Sequence, residues 1–332
     1  RAAIAGYEIG PRVGLCMGQE HIGQGWHSGA TVGVFSAVAG ASNLLELTPE
    51  ETLHAIGIAG TQSSGLMAAQ FGAMVKRMHA GKSAHSGLLA ALLAKEGFTG
   101  IVDVFEAPYG GFCSTFSRSQ DRFDLEQLIV GLGEEYQLMN IALKFYSCVG
   151  SNHTTLDAIK DIQKRRPFSD GDFKEIRVFG SKVTVDHVGW DYRPEGLTSA
   201  QLNLPFCVAT LLIEGDVFVE QFTTDCVDDP ERIELSRKIK VFHDSDITKR
   251  GSGYRHMVRV EVEFEDGDVE SETREYPRGS EYDFASDEEI IRKFKTLAKS
   301  SISAKSADKI VDMILNVEAL DSMKMLLTEM SG

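Results

Sequence analysis

Cysteine, proline, tryptophan and positive charge are all scarce in this chain. Its 332 residues hold 5 Cys, 8 Pro and 2 Trp, and 34 Lys and Arg stand against 49 Asp and Glu. The net charge of −15 removes the broad basic face that a phosphate backbone needs, so nucleic acid is excluded as a general partner. The cysteines, Cys16, Cys113, Cys148, Cys207 and Cys226, are odd in number, far apart and form no C-x-x-C pair. That argues against a metal site made by this chain and for free thiols in a reducing compartment. No apolar run approaches the roughly 20 residues that span a bilayer, and no signal-peptide pattern opens the chain. The expectation is therefore a cytoplasmic protein that engages no membrane. The chain begins at Arg1, not Met, and runs directly into "AAIAGYEIG", which reads as the middle of a helix and so as a fragment or processed product. Phosphate-binding G-x-x-x-x-G-K-[ST], dinucleotide G-x-G-x-x-G after a strand, G-x-S-x-G and H-E-x-x-H are all missing, which disfavours the enzyme classes built on them.

With 42% hydrophobic residues, the chain can bury a large core, and its length suits two domains. The first third is rich in Gly, Ala and Ser and reads as helical. Gly29, Gly33, Ala37 and Ala41 recur every four residues, a stripe that lets a second helix approach closely. "TPEE" opens the next helix, with Thr48 as cap, Pro49 in the first turn and Glu51 completing a capping box. "AHSGLLAALLAKEGF" reads as a helix ended by Gly97, followed by a Gly-rich break, "APYGGFCSTF". Further on, "TTLDAIKDIQKRR" is an amphipathic helix, "FKEIRVFGSKVTV" a strand, and "SAQLNLPFCVATLLIEG" a helix ended by Gly215. Asp266-Gly267 sits between two alternating runs as a hairpin turn. Helices return in the tail. The predicted organisation is mainly α with an inserted α+β lid: a helical domain over 1–140, an α/β domain over 141–281, and C-terminal helices over 282–332 that return to the helical domain.

Three constellations could carry chemistry. "MVKRMHAGKSAHSG" gathers Lys76, Arg77, His79, Lys82 and His85 ahead of, or within, the first turn of a helix rich in small residues. Cations at a helix N-terminus repel its positive dipole end unless an anion is bound, so the functional reading is a carboxylate or phosphate pocket. The plain alternative is a solvated basic helix start. In "GQGWHSGATVG", His27 precedes Ser28, a candidate N-cap. The dipole disfavours the imidazolium there, leaving a neutral ring able to exchange a proton; a structural histidine bonded to backbone is an equal reading. In "LKFYSCVGSNHTT", Lys144 lies among Leu143, Phe145 and Tyr146, and either snorkels to solvent or faces a ligand. His153 in the same stretch reads as structural, and His21, His54, His187, His243 and His256 as background.

Taken together and in order, "GWHSG", the small-residue helix, "GIAGTQSSG", "KRMHAGKSAHSG" and "GFTG" resemble the MmgE/PrpD family, with weaker similarity through "LKFYSCVGSNHTTLDAI" and "LPFCVATLLIEG". That resemblance implies a helical domain with a smaller α/β lid, a homodimer, no metal or organic cofactor, and a di- or tricarboxylate substrate. It carries His27, Lys76 and Lys144 over as catalytic residues; Arg77, His79 and Lys82 of the basic cluster, with Phe206, are the expected substrate-binding residues. Phe206 stands where many members have tyrosine, and the family has a helical region ahead of the position of Arg1 that bears a further histidine and aspartate. The chemistry implied is α-proton chemistry beside a carboxylate. Dehydration like that of 2-methylcitrate, a step of propionate metabolism, comes first. A cis-aconitate-type decarboxylase, an epimerase, or a non-catalytic or partner-dependent fragment are the alternatives.

Overall fold

The computed structural model describes residues 1–18, 20–70 and 73–331. Along the chain run α1 (Ala2–Met17), α2 (Glu20–Gly23), α3 (Ser28–Thr31), α4 (Gly33–Leu44), α5 (Pro49–Thr61), α6 (Val75–Lys95) and α7 (Phe112–Ser117). They are followed by α8 (Gly150–Arg165), β1 (Phe173–Gly180), α9 (Lys182–Val188), α10 (Leu197–Leu202), α11 (Leu204–Glu214), α12 (Thr224–Val227) and α13 (Pro230–Ser236). The rest comprises β2 (Ile239–His243), α14 (Ser245–Lys249), β3 (Val258–Phe264), β4 (Val269–Arg274), α15 (Asp287–Ala298), α16 (Ala304–Leu315) and α17 (Met323–Met330). The chain is mainly α with a small mixed sheet, and it divides into two compact units. One comprises Arg1–Ile141 and Arg193–Leu202, the other Ala142–Tyr192 and Asn203–Gly332.

In the first unit α4 is the central helix, packed between α1, α5 and α6. Its small residues permit this. A Cβ added at Gly87 of α6 would lie 2.5 Å from the Ala37 Cβ and 2.6 Å from the Val38 amide nitrogen of α4, so the two backbones touch. The α4 part of the expected stripe thus does what its spacing implies. Phe35 is fully buried and packs against Phe105 and Phe112, with ring centroids 5.0 and 4.9 Å away. The Thr48–Glu51 capping box forms as read, with Pro49 in the first turn of α5. A buried ion pair sits on α1, where the Arg12 Nε donates to the Glu8 Oε1 at 2.7 Å. The Arg12 guanidinium also donates to the Val130 and Glu135 carbonyls, and Glu8 accepts from the Gln137 amide, so one pair anchors the irregular segment 130–137. The expected Gly-rich break after Gly97 contains a short helix, α7, which opens at Gly111.

The second unit holds a four-stranded sheet in the order β2-β1-β3-β4, with β1 parallel to β2 and the other pairs antiparallel. Val258, Val260, Val262 and Phe264 alternate inward along β3 and are buried. The helix α8 covers β3 and β4 with Leu156, Ile159 and Ile162. The β3–β4 hairpin turns at Gly267, whose φ of 89° suits glycine.

Three expected elements differ. The strand read through "FKEIRVFGSKVTV" stops at Gly180, because the Ser181 hydroxyl accepts from the Thr184 amide and caps α9. The single helix ending at Gly215 is two, α10 and α11. Asn203 breaks it by capping α11 through its Oδ1, with proline in the first turn. The tail does not group with the helical unit as expected. Residues 282–332 belong to the second unit, where α15 is held by ion pairs from Arg278 to Glu289 and from Lys299 to Glu220.

Candidate functional site

His27 lies where two backbone segments meet. Trp26 bridges Leu66 in antiparallel fashion, the His27 amide donates to the Gly65 carbonyl at 3.1 Å, and the Met67 amide donates to the Gly25 carbonyl at 2.8 Å. The Trp26 indole donates to the Phe116 carbonyl at 3.1 Å, which fixes the approach to His27 against α7. His27, not Ser28, occupies the N-cap position of α3, and its side chain makes no capping bond there. Its ring turns instead toward α6, where its Nδ1 lies 2.9 Å from the Nδ1 of His79.

The helix that carries His79 starts well before the position expected. The whole run from Val75 is helical, so Lys76, Arg77, His79, Lys82 and His85 lie along the first half of α6, not ahead of its first turn. His79, Ser83, Ser86, Gly87, Ala90 and Ala94 form its buried face. The residues recur at helical spacing but are too small and polar to read as a hydrophobic stripe, which is why tertiary packing overrides the local turn signal. The Ser83 Oγ sits 3.0 Å from the carbonyls of Gly29, Ala30 and His79, and its single proton ties α6 to the start of α3. Gly65 lets its strand-like segment pass close to Ala30 at the start of α3. With φ of 154° and no Cβ, it faces Ala30 closely, and an added Cβ would lie 3.6 Å from the His79 ring.

Behind His27, the buried His21 bonds through its Nε2 to the Thr31 Oγ1 at 2.6 Å. Burial pulls the His21 pKa down to about 4, so this ring is neutral at pH 7. Thr31 is in turn held by the Ser63 hydroxyl, which donates to its carbonyl. The bracing reaches "TQSSG" and the loop before α3, so His21, a background residue by sequence, is a structural brace of the site.

The other candidates have separate surroundings. Lys76 is half-buried, one turn before His79 on α6, so the two side chains emerge on neighbouring parts of one face. Arg77 is exposed and donates to the Gln201 Oε1 of α10, a segment that sequence reading had assigned to the other domain. Lys82 donates to the Ser86 Oγ at 2.9 Å along its own helix. Lys144 is exposed in the second unit. Phe206 is fully buried there, with its ring centroid 4.4 Å from that of Tyr192. Its expected role in substrate binding gives way to a core role, because its ring offers a ligand no surface. Also in that unit, His153 is buried with its ring edge-on to Tyr146 at 5.1 Å, as expected for a structural histidine. Burial, reinforced by the Arg255 charge, pulls the His256 pKa down to about 3, and its Nε2 accepts from the Arg255 Nε at 3.0 Å.

A groove of about 570 Å³ crosses the first unit, lined by Tyr7, Ala37, Gly40, Ala84 and Leu88 among others. It has no charged lining and does not suit a carboxylate. The histidine pair with the neighbouring Lys76 combines a proton carrier and a cation. Among the described residues, no helix is long and apolar enough to cross a membrane.

Comparison with known proteins identifies two family domains in the chain. Residues 1–124 match the model of the MmgE/PrpD N-terminal domain, and residues 146–319 match that of the MmgE/PrpD C-terminal domain. A cis-aconitate decarboxylase-like protein of Aspergillus oryzae is 36% identical, over 100% of this chain and 70% of its own length. A cis-aconitate decarboxylase of Aspergillus terreus is 33% identical, over 98% of this chain and 69% of its own length. The human cis-aconitate decarboxylase is 22% identical, over 92% of this chain and 63% of its own length. With two family models covering most of its residues and relatives above 30% identity along nearly all of them, the chain belongs to the MmgE/PrpD family.

Proposed function

We propose that this chain is a lyase that decarboxylates cis-aconitate or a close unsaturated tricarboxylate. His27 exchanges the proton and Lys76 binds a substrate carboxylate. The observation that carries this reading is the pair of relatives at 36% and 33% identity, both named for cis-aconitate decarboxylation. Dehydration of a 2-methylcitrate-like acid, the first expectation from sequence, becomes the second reading, because no relative above carries that name.

The chemistry suits the residues. Loss of CO2 from the carboxymethyl arm of cis-aconitate breaks one C–C bond and leaves its electron pair on an allylic carbon. That pair delocalises through the double bond onto its far carbon and the carboxylate attached there. A cation against a carboxylate stabilises the charge as it develops, and a proton delivered to carbon completes the step. Lys76 is proposed for the first role and His27 for the second. Lys144 is proposed as a further carboxylate-binding cation on the family resemblance alone. Arg77, already bonded to Gln201 of α10, is assigned to holding α6 in place, and Lys82, bonded to Ser86 one turn along its own helix, is given no part in the chemistry. A homodimer is proposed on the same resemblance, to be checked by light scattering.

The test is to supply the chain with cis-aconitate in deuterium oxide and follow CO2 release and deuterium at carbon. His27→Asn and Lys76→Met are each expected to lower kcat by about 10²–10⁴-fold. A loss near tenfold for His27→Asn would reduce that residue to a binding role. Release of water from 2-methylcitrate with no CO2 would favour the second reading. Deuterium exchange without either product would point to epimerisation, and no turnover at all to a non-catalytic chain.

A further inference from the structure

We infer that His79 is a positioning residue that holds His27 as the Nδ1–H tautomer and so directs its proton exchange to Nε2. This rests on the proposed role of His27. The distance is the first part of the argument. Two imidazole Nδ1 atoms 2.9 Å apart are at hydrogen-bond distance, and such a bond contains one proton. One ring donates and the other accepts, and the acceptor must then carry its own proton on Nε2. Protonating both rings fully would place two N–H groups head to head and break the bond, so the pair as built holds two protons or three, never four.

Burial decides the direction. His79 is only 7% exposed and lies on the packed face of α6, whereas His27 is half-buried at the head of a four-residue helix. The ring that a ligand can reach is the one that exchanges its proton with it, so His27 is the donor of the pair and the packed His79 its acceptor. The tilted packing of the rings, with centroids 5.0 Å apart at 39°, and the Ser83 hydroxyl beside the His79 carbonyl hold that geometry.

The proton balance is then simple. In the three-proton state His27 carries N–H on both nitrogens and His79 carries it on Nε2. Delivery of the His27 Nε2 proton to the substrate carbanion forms one C–H bond and breaks one N–H bond. It leaves His27 neutral with Nδ1–H still bonded to His79, and a solvent proton at Nε2 restores the starting state. His79 never exchanges a proton with substrate.

The experiment is histidine ¹⁵N NMR of the whole chain, with the two rings assigned by His27→Asn and His79→Asn, alongside kinetics of His79→Leu and His79→Asn. In the unsubstituted protein at pH 8, His27 should show Nδ1–H and His79 Nε2–H. His79→Asn puts an amide oxygen near the lost acceptor nitrogen. It should keep the His27 tautomer and most of kcat. His79→Leu should mix the tautomers and lower kcat by about 10²-fold with KM little changed. The reverse tautomers in the unsubstituted protein would overturn the inference, as would a His27 tautomer unmoved in a folded His79→Leu. Because the NMR readout needs no turnover, tautomers that follow His79 in a chain inactive on cis-aconitate would reject the proposed activity and uphold this pairing.

Discussion

At the scale of single residues, the site is organised by who holds whose proton. His21 shows this outside the proposed chemistry. Its folded pKa of about 4 lies below the ordinary 6.5, because burial penalises the imidazolium. Between those two values the unfolded chain binds the extra proton and the folded chain does not. Stability from this residue is therefore complete above about pH 6.5 and is lost as pH falls toward about 4. His21→Gln, which has no ionisation, should lose less of its urea midpoint than the unsubstituted chain between pH 7.5 and pH 4.5. Equal losses in both would assign the acid sensitivity elsewhere. Arg12 makes a second residue-level case. Replacing it by methionine leaves Glu8 buried beside an apolar side chain, and the expected cost is about 3–5 kcal/mol by denaturant titration. Arg12→Lys, which keeps the charge but not the fork that reaches the Val130 and Glu135 carbonyls, should recover only part of it.

At the scale of elements, glycine acts in two opposite ways on the same helix. Gly81 of α6 has nothing within 4 Å of an added Cβ, so Gly81→Ala should stabilise by about 0.5–1 kcal/mol through helix propensity. Gly87, three turns from the N-terminus, touches the backbone of α4, and Gly87→Ala should destabilise by about 1–3 kcal/mol through overpacking. Thermal melts of the two variants should therefore move in opposite directions; a shared sign would mean that α4 and α6 do not meet as closely as described. The same pair shows what was legible beforehand. The Thr48 capping box, the Gly97 and Gly215 stops and the Asp266-Gly267 hairpin each depend on local chemistry, and each is present, whereas the stripe read on one helix from Gly29 to Ala41 is split at Val32 between α3 and α4. The true start of α6 depends on packing against α4, and the break at Asn203 on one side-chain cap inside a continuous apolar run. Neither has a strong local signal. Short β2 was not anticipated either, since "IKVFH" becomes a strand only by pairing with β1.

At the scale of the whole molecule, motif order along the chain carried the family, and the fold followed from it. Chain-distant pairings were not readable in the same way. His27 and His79 lie in separate motifs 52 positions apart, and nothing in either stretch announces their Nδ1 contact. Residues 193–202 likewise join the first unit from within a stretch that reads as part of the second. The reaction type was also beyond composition and spacing. Dehydration, decarboxylation and epimerisation next to a carboxylate call on the same cation and the same proton carrier, so relatives rather than residues favour decarboxylation here. The most direct measurement is NMR of the chain with cis-aconitate in deuterium oxide, with evolved CO2 collected. The predicted result is one CO2 released per substrate consumed and one deuterium bonded to carbon in the product, both lost in His27→Asn. Consumption of cis-aconitate, or of 2-methylcitrate, by gain or loss of water with no CO2 released would contradict it.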